Sequence, residues 1–315
     1  MLIKSADDKS KRIALLQDLQ NSTQLDAWQK QRVRESLAGL LKGIRGERDA
    51  AHYLDNHYRD SANHAVIHDL RIEIDGEVAQ IDHLLINRVM DFYLIETKNY
   101  NGNLSITDRG EFSVIYAGEK TIGIPSPIEQ SRRHENVFHK LLDHLEITAR
   151  TGASRVFHHV VMLDPKATIS RPDPKAYNTD MVIKADQFRT WHLNHIEKSG
   201  VGTVLLSMLN LRGSDALRMV AEKIASQHRR ADLLALPEAW KPKSAPVFVQ
   251  PGMPSLQLPD PQVQQSLDMN DHPLKRKLIC MTCNATISFA EGKFCWGNGK
   301  RFGGGQYCRP HQIAF

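Results

Sequence analysis

A strand pair that carries charge where a buried sheet should be apolar is the strongest constraint in this sequence. Residues Gln80 to Lys98 read QIDHLLINRVMDFYLIETK. One apolar run spans Val78 to Ile86 and a second spans Phe92 to Lys98, joined by Asn87 to Asp91. A five-residue connection of this kind is ordinary for a β-hairpin. Side chains alternate faces along a strand. Gln80, Asp82, Leu84 and Ile86 therefore share one face, and Phe92, Leu94, Glu96 and Lys98 share one on the return strand. A symmetric register sets Ile86 against Phe92, Leu84 against Leu94, and Asp82 against Glu96. Directly opposed side chains lie about 4.5–5.5 Å apart at Cβ, and like charges there are destabilising. Two carboxylates so placed, beside an ammonium, suit a divalent cation, because Mg²⁺ takes one or two carboxylates with water and phosphate oxygens. A solvated edge hairpin with ordinary surface charges fits the same strands.

The flanking segments bear on that choice. Glu35 to Tyr58 has a helical pattern, with Leu37, Leu40, Leu41, Ile44, Ala51 and Leu54 at spacings of three and four. Glu47 falls inside that apolar stripe, where an unpartnered carboxylate is costly. Gly46 beside it permits a close approach. Arg45 or Arg48 could instead pair Glu47 at a helix edge. Val66, Leu70, Ile72 and Ile74 mark a strand, and Asp75-Gly76 is a tight-turn signal leading into the Val78 strand. Residues 104–107, 112–116 and 121–124 read as further strands of an antiparallel meander. Pro125-Ser126-Pro127 then starts a helix, with Ser126 as N-cap and Pro127 at the first position. Its inward residues are Val137, Phe138, Leu141, Leu142 and Leu145. Gln130 and His134 extend the same stripe toward the helix N-terminus, where backbone N–H groups favour an anion. Gln130 serves equally as a capping or core-edge amide, and His134 reads as a partly buried helix-face histidine. Val156 to Leu163 is an apolar strand whose His158 and His159 face opposite sides. Segments 186–194, 203–211 and 214–229 read as helices.

The four cysteines all fall between Cys280 and Cys308. That clustering points to a local metal site in a reducing compartment rather than a disulfide framework. Cys280-Met-Thr-Cys283 is one knuckle and Cys308-Arg-Pro-His311 is another. Together they suit a tetrahedral structural Zn²⁺ in a small ribbon-like module. Cys295 is the alternative fourth ligand to His311. A segment this short does not build a sufficient core without such a staple. Eight of the 14 prolines lie between Ala231 and Pro273, a composition expected of an extended linker. The sequence thus divides into an N-terminal helical extension at 1–34, a main domain at 35–230, the linker at 231–273 and a metal-binding module at 274–315.

Net charge is +5, a mild basicity compatible with nucleic acid. No run of 18 or more apolar residues suggests a membrane span, and MLIKSADDKSKR has no apolar signal core, which makes a cytoplasmic location the default.

Taken together, Gly46-Glu47 on a helix, Gln80-Ile81-Asp82-His83 on a strand, Ile95-Glu96-Thr97-Lys98-Asn99 on the next and Pro127-Ile128-Glu129-Gln130 at a helix start resemble the PD-(D/E)XK nucleases. They are most similar to the NERD, or nuclease-related, domain. The likeness covers about residues 44–145, and Ile81-Asp82 stands where a Pro-Asp pair occurs in many relatives. The resemblance implies an α/β (α+β) restriction-endonuclease-like mixed sheet flanked by helices, with a C-terminal zinc ribbon appended. It implies a Mg²⁺- or Mn²⁺-dependent nuclease acting on nucleic acid, DNA first. Asp82, Glu96 and Glu47 would surround the metal, with the Thr97 carbonyl as an extra ligand. Lys98 would orient or deprotonate water or hold the phosphate, and Gln130 would position backbone or water. Arg132 and Arg133 would contact neighbouring phosphates. Two other expectations stay open: a nucleic-acid-binding protein with a silent nuclease fold, and a scaffold acting through the zinc module on a protein partner or a second copy.

Overall fold

The computed structural model describes residues 1–118, 120–148, 155–198, 211–237, 240, 278, 280, 285–302 and 305–313. It divides into two compact units, Met1–Pro246 and Val247–Phe315.

The first unit is built on a six-stranded mixed sheet. Its strands are β1 (Leu2–Lys4), β2 (His64–Ile74), β3 (Glu77–Asn87), β4 (Asp91–Lys98), β8 (Val156–Leu163) and β10 (Val182–Lys184), adjacent in that order. β2, β3 and β4 are antiparallel, whereas β1 joins β2, β8 joins β4, and β10 joins β8 in parallel. Asp75 and Gly76 both take positive φ, the conformation that a two-residue hairpin turn requires. The β3–β4 register pairs Ile86 with Phe92 and Leu84 with Leu94, as the side-chain parity predicts.

The expected meander stops at β4. β5 (Asn103–Ile106), β6 (Phe112–Ile115) and β7 (Thr121–Ile124) leave the main sheet and form a second, four-stranded sheet with β9 (Ile169–Ser170). Two physical reasons account for the split. The continuous apolar end of β8, Val160 to Leu163, needs burial on both faces and takes the place beside β4. The chain turns away at Gly102, where a Cβ would lie 2.4 Å from the Ile115 carbonyl oxygen.

Helices cover both faces of the main sheet. On one face lie α3 (Pro127–His144) and α5 (Ser214–Ala225), which place Val137, Phe138, Leu141, Leu217 and Ile224 on Ile72, Leu84, Phe92 and Leu94. On the other lie α2 (Ala27–Tyr58) and α4 (Phe188–Glu197), with Ala50, Leu54 and Phe188 on Val66, Leu85, Tyr93 and Ile95. α2 is one 32-residue helix, opened by a capping box between Asp26 and Gln29. The boundary expected at residue 34 therefore falls inside a helix. The N-terminal segment also contributes β1 to the sheet and α1 (Ser10–Asn21), whose Leu16 packs with Leu25, Val33 and Leu37. α3 starts as its sequence predicts, with the Ser126 hydroxyl accepting from the Glu129 N–H and Pro127 in the first turn.

In the second unit the described elements are helical. α6 (Phe289–Gly297) is fixed by a Ser288/Glu291 capping box, and Arg309–Gln312 makes a single further turn after Cys308. The helix expected at 203–211 and most of the Pro-rich linker lie outside the described residues. Among the described residues, no helix is long and apolar enough to cross a membrane.

Candidate functional site

The charged face of the hairpin meets the first turns of α3 at the end of β4. Glu96 is only 3% exposed. Its Oε1 accepts from Lys98 Nζ at 2.6 Å and from Gln130 Nε2 at 2.6 Å, while Gln130 Oε1 accepts from Lys98 Nζ at 3.1 Å. These three contacts close a triangle, so each side chain fixes the other two. The arrangement follows from two periodicities. Alternation along β4 puts Glu96 and Lys98 on one face, and the α3 stripe aims Gln130 at it.

Asp82 lies at the point where the hairpin opens. The β3–β4 ladder ends at His83–Ile95, one position before Asp82 would face Glu96. Beyond the end of the ladder the Asp82 Oδ2 accepts the backbone N–H of Thr97 at 2.8 Å. Burial, followed by the charges of Glu96 and Glu47, pushes the Asp82 carboxyl well above the usual range. The Glu96 carboxyl is raised as well, first by burial, with Lys98 opposing and Glu47 reinforcing the shift. Paired acids with raised pKa values are the electrostatic mark of a place short of positive charge.

Glu47 approaches from α2, and Gly46 allows α2 to come close. A Cβ at residue 46 would lie 2.9 Å from the Asn99 Cβ. Neither Arg45 nor Arg48 takes the Glu47 carboxylate. Lys9, at the start of α1, does so at 2.9 Å, and Lys9 Nζ also lies 3.6 Å from Asp69 Oδ2. Burial opposes the charge on Lys9, but the hydrogen bond to Glu47 and the charges of Glu47, Asp69 and Asp82 outweigh it and raise its pKa. Asp69 sits in β2 with φ +51°, where it accepts from Gln80 Nε2 at 2.7 Å. Neither Lys9 nor Asp69 carries a sequence signal of this role. Lys9 is 38 residues from Glu47 in a polar segment, and Asp69 depends on a backbone twist inside a strand.

The remaining residues on α3 fall on two sides. His134 faces the site, with Nδ1 3.7 Å from Glu96 Oε2, and burial followed by Lys98 and Arg133 lowers its pKa to about 4. Arg132 and Arg133 are exposed, and Arg132 pairs with Glu129 one turn earlier. His159 bonds to Ser131 and Glu135, whereas His158 stacks on Tyr93. Both serve packing between elements.

Among the described residues, two groups carry metal-compatible donors, with different degrees of closure. Asp82 and Glu96 provide hard oxygens of the kind Mg²⁺ takes, and their raised pKa values fit a cation between them. Glu47, drawn to Lys9, does not complete a set of three with them. Among the described residues, the set that closes is Cys280, Cys308 and His311, whose ligand atoms all lie within 4.8 Å of one another. His311 Nδ1 is 3.1 Å from Cys308 Sγ and 3.6 Å from Cys280 Sγ. Two thiols and an imidazole are the donors of a zinc-like structural site. Cys295 stays apart, accepting at Sγ from the Tyr307 N–H and Gln312 Nε2, each at 3.3 Å. Cys283, expected as a ligand, lies outside the described residues.

No curated protein and no solved structure matches the chain. Residues 42–163 match the family model of the nuclease-related domain, NERD. That segment runs from α2 to the end of β8 and contains Glu47, Asp82, Glu96, Lys98 and Gln130, so the chain carries a nuclease-related domain at the place where these side chains are arranged.

Proposed function

We propose that the domain is a metal-dependent phosphodiesterase that hydrolyses nucleic acid, DNA in the first instance, with Mg²⁺ or Mn²⁺ held by Asp82 and Glu96. The observation that carries this reading is the closed triangle of Glu96, Lys98 and Gln130 beside the half-buried Asp82. A divalent metal there supplies charge stabilisation at the scissile phosphate and lowers the pKa of an attacking water. The chain's own groups do the rest. The Thr97 N–H orients Asp82, and its carbonyl would serve as a further oxygen ligand to the metal. Lys98 is the cation of the triangle: on substrate binding it would exchange Glu96 for a phosphate oxygen or hold the water to be deprotonated. Gln130 keeps Glu96 and Lys98 in register. Glu47, held by Lys9, acts as an outer carboxylate. Arg132 and Arg133, exposed at the N-terminal half of α3, bind flanking phosphates without reading sequence.

In the second unit Cys280, Cys308 and His311 hold a structural Zn²⁺, with Cys283 as fourth ligand. Exposed Phe289, Phe294 and Trp296 beside Arg301 and Arg309 suit contact with nucleic acid.

Plasmid and single-stranded DNA, incubated with Mg²⁺ or Mn²⁺, test this reading. The wild type is expected to cut, and Glu96→Ala and Lys98→Ala to fail. One observation favours a second reading, a silent nucleic-acid-binding domain: Glu96 and Glu47 are already neutralised by Lys98 and Lys9. Equal DNA binding by all three proteins without cleavage would establish it. Absence of DNA binding would point instead to a scaffold acting through the second unit.

A further inference from the structure

Beneath the charged face of β4, the opposite face holds a chain of polar side chains under α2, with two buried histidines between a half-buried threonine and a half-buried aspartate. Thr97 Oγ1 lies 3.1 Å from His83 Nε2, His83 Nδ1 lies 2.8 Å from His68 Nδ1, and His68 Nε2 lies 3.1 Å from Asp55 Oδ1. Asp55 Oδ2 accepts in turn from Arg59 at 2.6 Å. Both histidines are 2% exposed. The chain crosses the four successive elements α2, β2, β3 and β4.

Hydrogen-bond roles along it are fixed by elimination. Two imidazole nitrogens 2.8 Å apart share one proton, since two protons would collide and none would leave facing lone pairs. His68 Nε2 faces a carboxylate and donates to it. Burial favours the neutral His68 ring, and with its one proton on Nε2 toward Asp55, Nδ1 is left as an acceptor. His83 Nδ1 therefore donates to His68, and His83 Nε2 accepts from the Thr97 hydroxyl. Every donor points toward Asp55. Reversing the His68–His83 link would turn the buried His68 Nε2 lone pair against the Asp55 carboxylate, at a cost of about 1–3 kcal/mol.

Thr97 is the residue whose N–H holds Asp82, and it stands between Glu96 and Lys98. Resting on the metal reading proposed above, we propose that Asp55, His68, His83 and Thr97 are positioning residues that hold the Glu96–Lys98 segment against Asp82, so that cation affinity depends on a carboxylate on the far side of the sheet. None of the four side chains touches the metal or the substrate. They act through the position of the Thr97 backbone, in the manner of outer partners that hold metal ligands and whose loss costs about 10–100-fold in affinity.

The test is calorimetric titration of Mn²⁺ into the full-length chain, loaded first with Zn²⁺, with melting temperatures recorded for each variant. Thr97→Val keeps the branched shape and removes the hydroxyl; it is expected to weaken Mn²⁺ binding about tenfold. Thr97→Ser restores the donor and should bind within about twofold of wild type. Asp55→Ala should weaken binding, while Asp55→Asn, which can still accept from His68, should not. The Thr97→Val/Asp55→Ala double variant should bind no more weakly than Thr97→Val alone, because both changes break one chain. Additive losses, or unchanged affinity in Thr97→Val and Asp55→Ala while Asp82→Asn abolishes binding, would overturn the inference and leave the metal reading standing. Absence of Mn²⁺ binding by the wild type, or binding that Asp82→Asn leaves intact, would overturn both.

Discussion

The two donor groups of this molecule meet opposite demands. The acidic group in the first unit already has partners of its own, the ammonium groups of Lys98 and Lys9 and the neutral donors of Gln130 and Thr97, and rests on a sheet packed by helices on both faces. Among the described residues of the second unit, which holds the Cys280–Cys308–His311 group, the buried apolar side chains are Cys280, Ile287, Cys295 and Phe302. A cation in the first unit would be added to a fold that stands without it. In the second, the metal would supply much of the folding free energy, which for small zinc modules is about 10–16 kcal/mol.

The largest expected effect follows from that contrast. A strong chelator, or Cys308→Ser, should unfold the second unit and leave the first intact. Near-ultraviolet circular dichroism and limited proteolysis would read this as a protected fragment ending before residue 247. Loss of the first unit under the same chelator would break the comparison. Next in size, Glu96→Ala should lower cleavage by about a thousandfold, the upper scale for removing one organised electrostatic group at a reacting centre. Glu96→Gln, which keeps an oxygen that can accept from Lys98 and Gln130, should lose cleavage on the same scale while its melting temperature stays near that of the wild type. An equal loss of fold would mean that Glu96 acts in structure rather than chemistry.

Lys9→Met sharpens the comparison from within the first unit. It strands Glu47 and Asp69 without their shared ammonium. Breaking such a half-buried pair should cost about 1–3 kcal/mol, less than the fully buried case. Added Mg²⁺ should then raise the melting temperature of the variant more than that of the wild type, since an external cation replaces the lost one. An identical Mg²⁺ response in both would show that Lys9 does not stand in for a cation.

What could be read in advance follows the range of the physics involved. Parity along β3 and β4 and the stripe of α3 are local, and they placed Glu96, Lys98 and Gln130 on converging faces. The turn at Asp75-Gly76 and the cap at Ser126 are equally local. The Lys9–Glu47 pair was not legible, because no spacing rule links a polar N-terminal segment to the middle of a long helix. Nor was the course of the chain after β4. Whether β5 or β8 pairs with β4 depends on which strand most needs two buried faces, a competition that no single segment reveals. The Asp55–His68–His83–Thr97 chain joins four elements, so alternation alone could only have said that His83 and Asp82 face opposite ways.

The smallest effect tests the charge balance at Asp82 directly. Its carboxyl is raised by burial and by the neighbouring Glu96 and Glu47, and Glu96 is raised with it. An acid with a raised native pKa binds protons more tightly folded than unfolded. Stability is therefore fully present below the ordinary carboxylate values, about 4, and is lost as pH rises through the raised native values. Metal-free wild type should accordingly melt lower at pH 7 than at pH 5. Asp82→Asn removes one of the two titrations and keeps an oxygen that can accept from Thr97. Its melting temperature should fall less over that interval and exceed that of the metal-free wild type at pH 7 by about 2–4 °C, the shift that about 1 kcal/mol makes in a domain of this size. Saturating Mg²⁺ should close the gap by stabilising the wild type alone. A wild type whose metal-free stability is flat or rising between pH 5 and 7 would mean that Lys98 and Lys9 already satisfy the site, and would favour the silent binding domain over the nuclease.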